Sequence, residues 1–128
     1  MASKWTPMVE RTRRLSGRVL TFLLGAEDDT LREFASSSTS GRAAKTLVKE
    51  EGLRITLVAL TDGTTLPAHR IAGPVSIQTL RGCLQITTEK TAVALTTGGL
   101  VALNVGVAYS ARAVGDTAIL LTIVMDGR

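Results

Sequence analysis

Two stretches of the chain decide the fold: residues 61–82, TDGTTLPAHRIAGPVSIQTLRG, and residues 96–109, TTGGLVALNVGVAY. Both are rich in β-branched and other apolar residues and are interrupted by glycine, proline and asparagine. This pattern is typical of short strands joined by tight turns. The only histidine of the chain, His69, lies in the first stretch, and the only tyrosine, Tyr109, ends the second. The same stretches therefore hold the best candidates for chemistry.

The rest of the chain from residue 43 onward also reads as β structure. Turn signals containing glycine, aspartate, asparagine or proline separate eight predicted strands: 45–49, 53–60, 75–80, 83–88, 91–95, 100–103, 109–113 and 117–124. Short strands at this spacing favour an antiparallel sandwich or barrel. The sequence therefore predicts an all-β fold for this region.

The amino-terminal part is predicted to be different. Residues 1–17 show no regular period and are expected to form an irregular basic arm, followed by a short strand at 18–24 and a short helix at 26–35. We therefore expect residues 1–40 to be an arm, strand and helix packing on the barrel, and residues 41–128 to be the barrel itself.

Length and composition limit the class of protein. A chain of 128 residues is long enough for one domain with one sizeable core. Its hydrophobic fraction of 45% is high, yet no apolar run approaches the length needed to span a bilayer. The sole cysteine, Cys83, excludes an intramolecular disulfide and a multi-cysteine zinc site. We expect a cytoplasmic protein with no membrane partner.

The net charge of +4 is concentrated near the amino terminus, where five basic residues precede the first acidic cluster. Such an excess admits contact with nucleic acid. However, the chain has only four aromatic residues, and they are not interleaved with the basic ones as in surfaces that stack bases. A solvated basic arm is the better interpretation, and we do not expect a nucleic-acid partner.

Two predicted strands lose the alternation of apolar and polar residues. Residues 53–60 and 118–124 are apolar on both faces over most of their length. A strand with one face in water should alternate, so the outer face of these strands must be covered as well. The amino-terminal strand and helix can cover part of it, and a second subunit is the natural cover for the rest. We therefore expect a homodimer.

The glycine spacing resembles that of the small single-domain bacterial cupins, whose two motifs are G-x5-H-x-H-x3,4-E-x6-G and G-x5-P-x-G-x2-H-x3-N. The matching positions are Gly63, His69 and Gly82 in the first motif and Gly98, Gly106 and Tyr109 in the second. The resemblance implies a cupin-like antiparallel β-barrel, or jelly roll. It covers residues 63–113, and in the second motif Asn104 replaces the proline and Ala113 replaces the final asparagine.

The resemblance also implies a metal site, which this sequence has changed. Cupins that hold a metal do so with two histidines and a glutamate of the first motif and a histidine of the second. Those positions are occupied here by His69, Ile71, Val75 and Tyr109. Only the first is a conventional ligand, whereas a metal site needs three or four N, O or S donors. A degenerate site without a metal cofactor follows, with a divalent metal kept as an alternative.

The residues around the changed site predict a lined pocket. In strand geometry Ile71, Val75, Ile77 and Thr79 share a face, with Tyr109 opposite. The candidate ligand-binding residues are His69, Tyr109, Ile71, Val75, Ile77 and Gln78. Gln78 and Arg70 join this face only if a bulge intervenes. The alternative is a barrel filled by its own side chains.

Three functions stay open, and no catalytic residue is assigned. The first is a metal-free cupin that binds a small molecule through His69 and Tyr109. The second is a small enzyme that uses His69 as acid or base, or as a ligand of a divalent metal. The third is a dimeric structural or interaction module. Paired-carboxylate chemistry is not favoured, because the acidic residues are expected to be exposed helix or turn charges: Glu27, Asp28, Asp29, Glu50 and Glu51.

Overall fold

The computed structural model describes residues 15–70 and 73–125, with residues 67–70 described by their backbone alone. The predicted basic arm, residues 1–17, lies almost wholly outside this part. Within it, one helix precedes seven strands: α1 (Leu24–Ser37), β1 (Arg42–Lys49), β2 (Leu53–Leu60), β3 (Thr65–Arg70), β4 (Val75–Thr87), β5 (Ala92–Thr96), β6 (Leu100–Leu103) and β7 (Ala108–Val124). The all-β prediction with a short helix is confirmed. No helix among the described residues is long and apolar enough to cross a bilayer.

Two long strands, β4 and β7, organise the sheet. They pair with each other along most of their length, and every strand pairing is antiparallel. The carboxyl-terminal part of β7 also pairs with β2, and the amino-terminal part of β4 pairs with β6. At their other ends β7 pairs with β3, and β4 pairs with β5. The β4–β7 pair is therefore shared by two halves that enclose the core.

Strands β4 and β7 each replace two predicted strands. The prediction was wrong to end strands near Gly82 and Gly115, because both glycines lie inside a continuous strand with φ of 84° and 74°. The register of β4 shifts between Thr79 and Cys83, so Gly82 belongs to a bulge rather than to a turn. Strand β3 was absent from the predicted set, since Pro67 within it is a residue that sheet interiors avoid.

The strand predicted for Arg18–Leu24 does not form. Residues 18–23 are not part of any strand, and Leu24 is already the first residue of α1. Leu20, Phe22 and Leu24 nevertheless pack together against a buried cluster beneath them. The alternating apolar pattern here reflects the packing of one side of this segment against that cluster.

The molecule has two apolar clusters, one on each face of the sheet. The barrel core lies between the two halves and includes Val58 and Leu60 of β2. The helix core lies between α1 and the outer face and includes Leu57 and Ala59 of the same strand. All four residues are buried, so β2 has lost its alternation because both of its faces are covered. On the outer face of β2 the cover is α1 together with Leu20, Phe22 and Leu24.

Asp28 of α1 joins the helix to the sheet. Asp28 is only 6% exposed, and its carboxylate accepts hydrogen bonds from Arg81 Nε at 2.9 Å and from Arg81 Nη2 at 3.2 Å. Arg32 donates a third bond at 3.3 Å. Burial by itself raises the pKa of Asp28, but Arg81 and then Arg32 outweigh it, so the pKa lies below its ordinary value. The expectation that Asp28 is an exposed charge was wrong.

We predict that Asp28→Asn lowers the free energy of unfolding by about 2 kcal/mol at pH 7, because it weakens a charge-assisted pair. Asp29→Asn, at an exposed neighbour, should change it by less than about 0.5 kcal/mol. The advantage of the native chain over Asp28→Asn should be complete above pH ~5 and fade as the pH falls below ~4, through the lowered folded-state pKa. Urea unfolding at several pH values measures this, and equal stability of the native chain and Asp28→Asn at pH 7 would contradict it.

Candidate functional site

The bend of the β4–β7 pair marks one end of the barrel. It lies where the irregular register of β4 between Thr79 and Cys83 meets residues 114–118 of β7. From there one half runs to Val75 and Ile123, and the other runs to Tyr109. We call the end that these residues occupy, away from the bend, the far end of the barrel.

Tyr109 is a buried polar residue at the far end. It is 3% exposed and belongs to the barrel core, and its Cα pairs with that of His69 across β7 and β3. Burial raises the pKa of the Tyr109 phenol above its ordinary value. The phenol is therefore neutral at neutral pH and can donate a hydrogen bond.

The predicted ligand-binding residues divide into three groups. Val75 and Ile77 are buried in the same cluster as Tyr109, so the structure brings these three together. Gln78 alternates with them and pairs with Leu120 and Leu100, which puts it on the other side of the sheet, as expected without an intervening bulge. His69 is described by its backbone alone, and Ile71 lies outside the described residues.

Among the residues that the structure describes, two buried polar atoms on the inner face have no hydrogen-bond partner. They are Thr79 Oγ1 and Arg54 Nε. Thr79 follows Val75 and Ile77 on the same face of β4, and Arg54 lies on the face of β2 that carries Val58. No role was predicted for Arg54, although its position, four and six residues before apolar residues of the same strand face, could have indicated it.

Comparisons with known proteins identify the architecture. The sequence matches no protein-family model and no curated protein. Among solved structures, it resembles a cupin superfamily protein from Desulfitobacterium hafniense, with a TM-score of 0.67, 17% identity, and coverage of 72% of this chain and 87% of that one. The chain has the cupin fold.

Two further structures show the same likeness. An RmlC-like cupin from Shewanella frigidimarina gives a TM-score of 0.63 at 14% identity, covering 66% of this chain and 77% of that one. A conserved protein of unknown function from Streptococcus pyogenes gives 0.64 at 24% identity, covering 70% and 78% respectively. The cupin resemblance carried by the glycine spacing is thus confirmed for the fold.

The described residues do not fit the metal that cupins commonly hold. Among them, no three histidine, cysteine, aspartate or glutamate side chains come close enough together to hold an ion. Val75, at the position of the motif glutamate, is an aliphatic residue buried in the barrel core. Tyr109, at the position of the second motif's histidine, is a neutral phenol whose raised pKa opposes the phenolate form that metals prefer. We therefore derive no chemistry through a metal ion.

Thr79 and Thr117 form a natural comparison, because both are fully buried. The Thr117 hydroxyl accepts a bond from Cys83 N at 3.3 Å and donates to Cys83 O or to Gly115 O, at 3.1 and 3.0 Å. The Thr79 hydroxyl has no partner. A buried hydroxyl without a partner destabilises the fold, whereas a bonded one contributes to stability.

We predict that Thr79→Val raises the free energy of unfolding by about 1 kcal/mol, because a methyl group replaces an unsatisfied hydroxyl of similar size. Thr117→Val should instead lower it by about 1 to 2 kcal/mol, since the backbone groups of the bend lose a partner. Chemical denaturation of both variants in the absence of added ligand measures the difference. A loss of stability in Thr79→Val equal to that in Thr117→Val would show that the Thr79 hydroxyl is satisfied.

Proposed function

We propose that this cupin-fold protein binds a small organic molecule at the far end of its barrel, and that His69 and Tyr109 orient the ligand. The observation that carries the proposal is the strand register that pairs the only histidine of the chain with its only tyrosine. The two residues are thereby held at paired backbone positions of β3 and β7. Binding sites are characteristically concave and apolar, with a few polar groups of this kind.

The chemistry of these residues limits the ligand. Val75 and Ile77 offer an apolar wall, which favours a molecule with hydrocarbon surface. The neutral phenol of Tyr109 donates one hydrogen bond, and an imidazole can donate or accept. A small, largely apolar molecule with one or two acceptor atoms suits this set, and its recognition requires no metal ion.

We expect a broad thermal-shift screen of small organic molecules to yield ligands that depend on the Tyr109 hydroxyl. Tyr109→Phe removes that oxygen and keeps the ring, so affinity should fall by about two- to tenfold, the value of one hydrogen bond. Ser110→Ala removes the neighbouring hydroxyl of β7 and should leave affinity unchanged. Calorimetric titration of each hit measures both effects. The proposal fails when no compound raises the melting temperature, or when Tyr109→Phe binds every hit as the native chain does.

We also propose that the chain forms a homodimer through the part of the outer sheet face that α1 leaves uncovered. Leu100 is 62% exposed there and Val124 is 49% exposed, around a depression of about 380 Å³. The lining is apolar or uncharged: Pro74, Val75, Ser76, Ala102, Leu103, Asn104, Thr122 and Val124. The centre of an interface between identical subunits typically has few charged residues and several aliphatic ones. The composition of this surface therefore supports a second copy as the occupant.

Light scattering at micromolar concentration should give a mass twice the 13.5 kDa of one chain. Leu100→Glu places a charge in the proposed interface and should shift the protein to the monomer, because an unpaired charge is costly to bury. Val93→Glu, at an exposed residue of β5, should leave the dimer intact. A native chain that is monomeric, or a dimer that persists in Leu100→Glu, would exclude this interface.

A further inference from the structure

Arg54 lies in the wall of the barrel near the far end. It alternates along β2 with Thr56, Val58 and Leu60, the last two of which belong to the barrel core. Because residues two apart share a face of a strand, Arg54 is on the inner face. In register it is opposite Ile123 of β7, which is in turn opposite Val75 of β4. The guanidinium-bearing residue is thus two strands from a predicted ligand-binding residue, in the same cross-strand row.

The charge of Arg54 has no counter-ion within the described part of the chain. Its Nε is buried and has no hydrogen-bond acceptor among these residues. None of the ion pairs among residues 15–70 and 73–125 includes it. The residue opposite Arg54 on β1 is another cation, Lys49. Like charges opposite each other in a sheet are destabilising. Nearby Glu50 is exposed, and its Oε1 accepts a bond from the backbone of Gly17 instead.

A buried guanidinium nitrogen that has no acceptor among the described residues needs a reason, since burying an uncompensated polar group is expensive. Arginine presents several N–H groups in a planar fork that matches a carboxylate and can bind it through two hydrogen bonds. The next two residues of the same cross-strand row, Ile123 and Val75, are aliphatic and can contact the hydrocarbon part of the same molecule. Tyr109 completes the set, because a neutral phenol donates to an anion without repelling it.

We infer that the ligand of the far-end site is a small organic carboxylate and that Arg54 binds its acid group. This inference rests on the proposed function and adds the chemical class of the ligand. Arg54 satisfies its buried Nε only when the acid is present, and the apolar row holds the rest of the molecule. The site thus combines a cation that has no partner among the described residues, an aliphatic wall and a neutral hydrogen-bond donor.

The test uses three acids and their matched amides: acetate, hexanoate and benzoate against acetamide, hexanamide and benzamide. Each pair has nearly the same shape and differs in charge. At least one acid should bind the full chain at least about tenfold more tightly than its amide, as measured by calorimetry, because a charge-assisted pair replaces a neutral contact. Arg54→Met should remove that preference, and Arg54→Lys should retain only part of it. Arg42→Met changes an exposed arginine at the other end of the same hairpin and should bind as the native chain does.

A second measurement separates a ligand-binding arginine from a structural one. Without ligand, Arg54→Met should melt at the native temperature or above it, because the variant loses an unpaired charge and keeps a stem of similar length. A melting temperature lowered as much as in Asp28→Asn would mean that Arg54 has a partner within the chain, and the inference would be wrong.

The two proposals fail in different ways. If neutral molecules from the broad screen bind in a Tyr109-dependent manner, but no acid binds better than its amide, the small-molecule site stands and the carboxylate inference falls. The same holds if an acid binds equally well to Arg54→Met. If nothing binds at all, both proposals are overturned.

Discussion

The structure depends on one bend, where β4 and β7 pass together from one half of the barrel to the other. Gly82 lies at this point with φ of 84°, and a Cβ there would come within 2.4 Å of the Asp116 carbonyl oxygen. A side chain at this position would therefore push the two strands apart. The Thr117 hydroxyl bonds to the backbone of Cys83 across the same irregularity. Because both halves share these strands, the barrel core exists only if the bend forms.

The helix is attached to the same bend. Arg81 lies within the irregular part of β4, next to Gly82, and its guanidinium binds the buried carboxylate of Asp28. The bulge thus directs the Arg81 side chain outward, toward α1, while the strand continues around the core. The ion pair holds α1 over Leu57 and Ala59, which completes the helix core. One local distortion consequently positions both halves of the sheet and the element that covers its outer face.

The turns and the fold could be predicted from the sequence because they depend on local backbone chemistry. All four glycines of the two motifs, Gly63, Gly82, Gly98 and Gly106, have positive φ, a conformation that other residues rarely adopt. Spacing alone could not distinguish a turn from a bulge at Gly82, since both need the same φ. It also could not find that Asp28 is buried, because its main partner is 53 residues away in the chain. Strand alternation places Val75 and Ile77 on one face of β4, and both are buried in one cluster with Tyr109 of β7.

The chain has the cupin fold, but at two of the positions where cupins commonly hold a metal it has Val75 and Tyr109. A divalent cation gives a barrel a fixed positive charge, but it requires three or four donor side chains around one point. Val75 is aliphatic and Tyr109 is a neutral phenol, so neither position supplies a good metal donor. Arg54 needs no donor side chains around it, because its charge belongs to its own side chain. Its buried Nε has no acceptor among the described residues. On our proposal, the attraction for an organic acid has moved from an ion at the centre of the site to an arginine on β2. Such a barrel can select anions by charge and shape, without the Lewis acidity that an ion would supply.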